Sequence, residues 1–257
     1  MGISLRPNGM TSSAFALRYW ERRQEVVSNN LANVSTDGFK AERAFANLVA
    51  GAVPEIDTRT DLRGGALRPT NQPLDLALGR DDAWLVIETA DGERLTRGGA
   101  FRLDEAGRVV TADGDPLLGE DGPIVLDAAT ADRVREAATG ADGAPSADPA
   151  GLVQIDREGG VHVAGLPVGR LRVETVPAGV RLAHAGGNAF VPPAERTAAE
   201  PGAREVRQGS VEESNVSSVG SLVEMITVQR AYASVQKAMT TLDGVRGIMT
   251  GELGKPV

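Results

Sequence analysis

The chain has 257 residues, 41 % of them apolar and only 4 % aromatic, so an aliphatic core for one large domain or two modest ones is expected. Its formal net charge of −8 leaves no basic surplus to neutralise phosphates, which argues against a nucleic-acid partner. No cysteine and only two histidines, His162 and His184, exclude disulfide staples, thiolate catalysis, cysteine zinc sites and a three-histidine metal centre.

No apolar run approaches the roughly 20 residues that span a bilayer. Residues Met1 to Met10 carry neither an apolar h-region nor a small-residue cleavage site. Met1-Gly2 opens like a myristoylation signal, but Arg6 stands where Ser or Thr is required. The expectation is a soluble chain without membrane insertion, one that stays in the cytoplasm or leaves by a route needing no cleaved signal.

From Thr11 to Val34 there is no Gly or Pro, and Leu17, Trp20, Gln24, Val27, Leu31 and Val34 recur at alternating spacings of three and four. That spacing predicts a helix with one apolar seam. Ser28, Asn29, Asn30 and Asn33 weaken its end, and Asp37-Gly38 offers a stop in the left-handed conformation.

The middle, about Leu74 to Phe190, reads as short strands separated by glycine turns. Trp84–Ile87 precedes Asp91-Gly92, Ala100–Leu103 precedes Ala106-Gly107, Arg108–Thr111 precedes Asp113-Gly114, and Leu117-Leu118 precedes Asp121-Gly122-Pro123. Asp-Gly between apolar runs predicts hairpins, because tight hairpin turns need positive φ. Leu152–Ile155, Val161–Ala164 and Leu171–Val176 continue the pattern. Between the two sets, Asp127 to Ala150 reads as a surface excursion with a short helix over Ala128 to Ala138, and Pro192 to Gly202 as a polar link.

A second patterned helix is predicted from Val219 to Leu242. Its seam is Met225, Val228, Tyr232, Val235, Met239 and Leu242, widened by Leu222 and Ile226. Ser217-Ser218 offers the N-cap and Asp243-Gly244 a stop. Each seam needs a partner, and the two ends of the chain can supply one another.

Little in the chain points to catalysis. The Asp-Gly pairs lack the alternating oxygen ligands and terminal Glu of an EF-hand, and the nucleophile-elbow and P-loop patterns are absent. No nucleophile and carboxylate are recognisably arranged around His162 or His184.

Ser28-Asn-Asn-Leu-Ala-Asn-Val-Ser-Thr-Asp-Gly-Phe-Lys40 resembles the N-terminal signature of bacterial flagellar rod and hook proteins. Gly209-Ser-Val-Glu-Glu-Ser-Asn-Val216, Leu222-Val-Glu-Met-Ile226 and Gln229-Arg-Ala-Tyr232 are similar to that family's C-terminal block. Pro73–Leu78, Leu95–Phe101 and Gly107 through Ile124 resemble the β-domain opening of the FlgF and FlgG rod proteins. The resemblance covers most of the chain and is weakest over Asp127–Ala150 and Pro192–Arg207. Ala233 stands where the family often has Glu, and Ser35-Thr-Asp replaces a frequent Asn-Thr-x. A short Ala41–Thr70 segment, Asp82-Ala-Trp-Leu-Val86 and Val168-Gly-Arg-Leu171 look more like FlgF, the proximal rod member, than like FlgG, the distal one, which is the alternative.

The resemblance implies a structural, non-enzymatic rod subunit with no cofactor and no metal. It implies helical assembly with copies of itself and other rod subunits in the basal body. Export would run through the flagellar type III apparatus without a cleaved signal, and the assembled rod would carry torque from motor to hook. The expected fold is α+β, with N- and C-terminal helices packing as a coiled coil and a central, mainly antiparallel β domain. Residues 1–40 would be the first helix and Gly-Phe turn of an inner-tube domain, 41–73 a connector, 74–207 the β domain with 127–150 as a flexible excursion, and 208–257 the last helix.

The implied assembly interface takes Leu17, Trp20, Val27, Asn29, Asn30, Leu31, Asn33 and Val34 from the first helix, then Gly38 and Phe39 from the turn. From the other end it takes Ser214, Asn215, Met225, Val228, Gln229, Arg230, Tyr232, Val235, Met239 and Leu242. For the three asparagines, local helix termination is the open alternative. For Gln229 and Arg230 it is a solvated helix face, and for Tyr232 core packing. Phe45 and Val49 fit the Phe-x-x-x-apolar pattern linked in this family to the export gate, with ordinary packing as the alternative. The rival of another class is a ligand-binding or enzymatic β domain dimerised by its helical ends.

Overall fold

The computed structural model describes residues 9–47, 54–126, 153–163 and 165–253. Val49 and the 127–150 segment, with its expected helix over Ala128–Ala138, lie outside the described residues. The chain divides into two compact units, one made of Met1–Val34, Ala41–Asp61 and Val216–Val257, the other of Ser35–Lys40 and Leu62–Asn215.

The first unit holds the two long helices, α1 (Gly9–Ala32) and α2 (Ser218–Leu253), which pack together. Helix α2 starts as expected: the Ser217 hydroxyl accepts the Gly220 amide at 3.2 Å, an N-cap bond. Its end differs from expectation, because the helix runs through Asp243-Gly244 to Leu253. A glycine inside a helix costs only about 1 kcal/mol relative to alanine. That cost does not stop the helix, and the next proline, Pro256, lies beyond its end.

Helix α1 also ends differently. Asn33, not Gly38, terminates it: the Asn33 amide donates to the Asn29 carbonyl at 3.1 Å, and its side-chain amide donates to the same oxygen at 3.0 Å. The expected 41–73 connector carries structure of its own. Glu42–Asn47 pairs antiparallel with Glu55–Thr60, and this pair belongs to the helical unit. Neither segment holds a strong apolar alternation, which is why it reads from sequence as a link.

The second unit is the expected β domain, and every strand pairing described in it is antiparallel. A five-stranded sheet runs in the order Ala189–Phe190, Gly92–Thr96, Ala83–Thr89, Val173–Thr175, Thr197–Ala198. The strand Ala83–Thr89 alternates its side chains between two apolar clusters. Ala83, Leu85 and Ile87 point into one, and Trp84 and Val86 into the other, where Trp84 meets the edge of Phe190. Burial on both faces explains why the run Ala83–Ile87 is continuously apolar.

The glycine turns fall where the Asp-Gly pairs and Ala106-Gly107 put them, with positive φ at Gly92, Gly107, Gly114 and Gly122. A three-stranded sheet (Val153–Ile155, Gly160–Val163, Leu166–Arg170) adds to the larger cluster. Pro192–Gly202 is more than a polar link: it supplies the edge strand Thr197–Ala198 and the buried Ala199.

One face of the five-stranded sheet carries an ion network. Arg172 donates to Glu93 at 2.7 Å and to Glu174 at 2.6 Å, and Arg196 reaches Glu93 at 2.9 Å. The Arg172 hydrogen bond, helped by Arg196, holds the Glu93 carboxyl below its ordinary value of 4.5. The native chain therefore takes up this proton at lower pH than the unfolded chain. The stabilisation is fully present above the ordinary value and is lost as pH falls through the folded one. Acid titration of stability should show a shallower fall below pH 4.5 in Glu93→Gln than in the parent chain, measured by urea unfolding at stepped pH.

Candidate assembly interface

Helices α1 and α2 meet along one seam. Val228 is fully buried in it, and Val26 and Val27 are 3 % and 2 % exposed. Met225, Tyr232, Val235 and Met239 are half-buried on the same side of α2, while Leu242 is exposed. On α1, Leu17, Trp20, Leu31 and Val34 are half-buried. Gln24 of the expected stripe turns outward, and Arg23 takes its place, donating twice to Glu224 at 2.9 and 2.7 Å. A two-pronged guanidinium bond of this kind fixes register as well as charge. Further along, the Tyr232 hydroxyl donates to Glu21 at 3.1 Å, and this bond raises its pKa.

The asparagines divide by role. Asn30 is buried and pairs with the backbone of Glu42 in both directions: its amide donates to the carbonyl at 2.8 Å, and its oxygen accepts the Glu42 N–H at 2.9 Å. Asn33 ends the helix, and Asn29 is exposed. Gln229 and Arg230 are exposed on α2. Phe45 is half-buried in the helical unit with the Arg59 guanidinium 4.8 Å from its ring centre. The Phe45 side chain therefore packs locally.

The Gly-Phe turn lies in the β unit. Gly38 has φ +73°, donates its amide to the Glu212 carbonyl at 2.6 Å, and leaves no room for a Cβ against the Arg97 carbonyl. Phe39 is 3 % exposed. Its carbonyl accepts the Asn215 amide at 3.3 Å, and the Asn215 side chain donates to the Arg63 carbonyl at 2.9 Å. Ser214 is half-buried beside it in sequence.

At the centre of this turn are three residues that sequence reasoning missed. Lys40, Arg97 and Glu212 are at most 3 % exposed. Lys40 donates to Glu212 Oε1 at 2.6 Å, and Arg97 Nε donates to Glu212 Oε2 at 2.8 Å. Gly65 N–H adds a bond to Oε1 at 2.8 Å. Burial and the neighbouring Arg97 lower the Lys40 pKa, and the Glu212 carboxylate opposes them. The available signal was the pair of charged residues inside the two motifs, Lys40 after Gly-Phe and Glu212 before Ser214-Asn215.

His184 stands edge-on to Phe190 and accepts the Gly186 amide at 3.2 Å. His162 sits in a strand opposite Gln154. Among the described residues no group of three or more His, Asp or Glu is placed to hold a metal ion. No described helix is long and apolar enough to cross a membrane.

The Gly38→Ala variant should lose about 1–3 kcal/mol of β-unit stability, from left-handed strain and the overlap with Arg97. Urea unfolding of the purified chain checks this.

Two family models match the chain at the segments just described. Residues 207–250 match "Flagellar basal body rod FlgEFG protein C-terminal", and residues 16–40 match "Flagella basal body rod protein". Among similar proteins, the flagellar basal-body rod protein FlgF of Escherichia coli (strain K12) is 32 % identical over 246 residues, covering 88 % of this chain and 90 % of the relative. FlgF of Rhizobium meliloti (strain 1021) is 32 % identical over 246 residues, with 91 % of each chain covered. FlgG of Bacillus subtilis (strain 168) is 27 % identical over 258 residues, covering 91 % of this chain and 94 % of the relative. The seam of α1 and α2 and the Gly-Phe turn thus coincide with the matched segments, and the chain belongs to the flagellar basal-body rod protein family (FlgF/FlgG).

Proposed function

We propose that this chain is a non-enzymatic structural subunit of the rod in the FlgF-like, proximal position, joining its neighbours through its terminal helices. The observation that carries the assembly role is the second apolar stripe of α2. Val219, Leu222, Val223 and Ile226 are 70 %, 49 %, 60 % and 50 % exposed. At 3.6 residues per turn this stripe is centred about 140° round the helix from the Met225–Val228–Tyr232 seam. Of the two residues expected to widen the seam, Leu222 lies on its flank, about 90° from the centre, and Ile226 lies further round, at about 130°. Helix α1 covers one face of α2 and leaves this one open. Further along the helix Ile248, 64 % exposed, returns to the same side, Val245, 50 % exposed, lies about a quarter turn round from the stripe, and Leu242, 42 % exposed, lies on the seam side.

An apolar stripe of this length on one helix marks an interaction surface. A stripe that meets a different surface on the next copy gives a head-to-tail contact, and such contacts build open helical stacks. Exposed Gln229 and Arg230, between the two apolar stretches, are then polar partners for a neighbour. Torque passes along such a stack through rigid packing. The proximal position is supported by the FlgF-like segments Asp82–Val86 and Val168–Leu171. Export through the flagellar type III apparatus, with or without Phe45 as a gate signal, goes with that position.

Replacing Leu222 and Ile226 together by Asp should change unfolding free energy by no more than about 1–2 kcal/mol, since each is about half exposed. The same change should abolish swimming and leave rods incomplete. Normal swimming with that variant would overturn the assembly role of the stripe. Electron microscopy of basal bodies from a strain lacking this chain should show construction halted before the distal rod; rods halted only beyond the proximal segment would favour the FlgG position.

A further inference from the structure

The β unit takes its last pieces from the end of its own sequence. Val206–Gln208 pairs with Leu76–Leu78, and Ser210–Glu212 pairs with Leu67–Pro69. Val206 and Val211 are each 1 % exposed. Gln208 ties two further segments together, donating to the carbonyls of Pro73 and Val153 at 2.7 Å and accepting the Ile155 amide at 3.0 Å. None of these bonds can form while residues 206–215 are held elsewhere.

Charge makes that dependence steeper than missing strands alone would. The Lys40 and Arg97 side chains are 0 % and 1 % exposed, and both point at the Glu212 carboxylate. Without it, two cations would face each other in a place shielded from water. A buried ion with its partner removed is far costlier than an unmade surface contact. The earlier part of the unit, Ser35–Lys40 and Leu62 to Arg204, therefore contains both cations of the cluster and lacks the anion they bond.

We propose that Glu212 is a folding latch: the β unit cannot close until residues 206–215 are released, so a chain emerging N-terminus first stays open until nearly all of it is out. The inference rests on the β unit alone and is independent of the position in the rod. For a chain threaded through a narrow conduit, the latch keeps the largest domain from folding before its end is free. Glu212 supplies the charge, Gln208 the cross-ties, and Gly38 the backbone contact that receives the strand.

The test is a force-sensing arrest peptide fused behind the chain at successive lengths, which reports folding as the chain leaves the ribosome. Release should appear only once residue 215 has cleared the tunnel. Release while residues 206–215 are still inside would overturn the latch. Full-length variants separate charge from shape. Glu212→Gln should speed protease cleavage of the β unit on the order of 100-fold or more, the equivalent of an unpaired buried charge. Adding Lys40→Met to Glu212→Gln should recover part of that protection, because one of the two stranded cations is gone. An unchanged cleavage rate in Glu212→Gln, or no recovery in the double variant, would each show that the carboxylate is not the latch.

Discussion

A single buried carboxylate organises the β unit. Glu212 accepts from Lys40, Arg97 and the Gly65 amide, and its own backbone carbonyl accepts the Gly38 amide. Isolated, any of these charges would be expelled from the interior or neutralised. Together they satisfy one another, and the guanidinium of Arg97 donates further to the carbonyls of Arg80 and Ala83. Its central carbon also lies over the Trp84 ring, 5.7 Å from the ring centre, so the charged cluster borders an apolar one. A hydrophobic replacement of the whole cluster could be as stable. What the ions add is a single allowed arrangement, because each bond has one length and one direction.

The helical unit is built on the opposite logic. Its seam is aliphatic, with Val26, Val27 and Val228 at its centre and Arg23–Glu224 beside them. Aliphatic contact is non-directional, so register comes from the polar additions, Arg23 to Glu224 and Tyr232 to Glu21. The helix α2 carries more apolar surface than α1 covers, much of it outside the seam. A helix that is apolar on two sides leaves exposed the one that its packed neighbour does not cover.

Periodic elements were legible in the sequence and long-range ones were not. The spacing of three and four predicted both helices and placed Val27, Val228, Tyr232 and Val235 on the seam. Asp-Gly pairs predicted hairpins because positive φ is a local demand, met within two residues. The strands Val206–Gln208 and Ser210–Glu212 have three residues each, too short for alternation to show, and their partners lie more than a hundred residues earlier. Lys40 and Arg97 are charged, and a charged residue reads as surface unless its partner is known. The helix stops failed for a different reason. Gly38 and Gly244 both have the local look of terminators, but Gly38 serves the turn in the β unit and Gly244 lies inside a helix that continues to Leu253.

The two terminal motifs therefore do two physical jobs each. Residues 16–40 contain most of α1, but their last six positions, Ser35–Lys40, belong to the β unit. Residues 207–250 contain most of α2, but Arg207 to Asn215 belong to the β unit as well. In each motif a helix-forming part adjoins a part that enters a different fold. Asn30 marks the change on one side, its side chain bonded to Glu42 within the helical unit. Ser217 marks it on the other, capping α2 directly after the β unit ends. A motif that looks like one continuous signature is then two constraints joined end to end: an aliphatic seam that tolerates any residue of similar shape, and an ion-bonded turn in which glycine, lysine and glutamate have no substitute of the same chemistry.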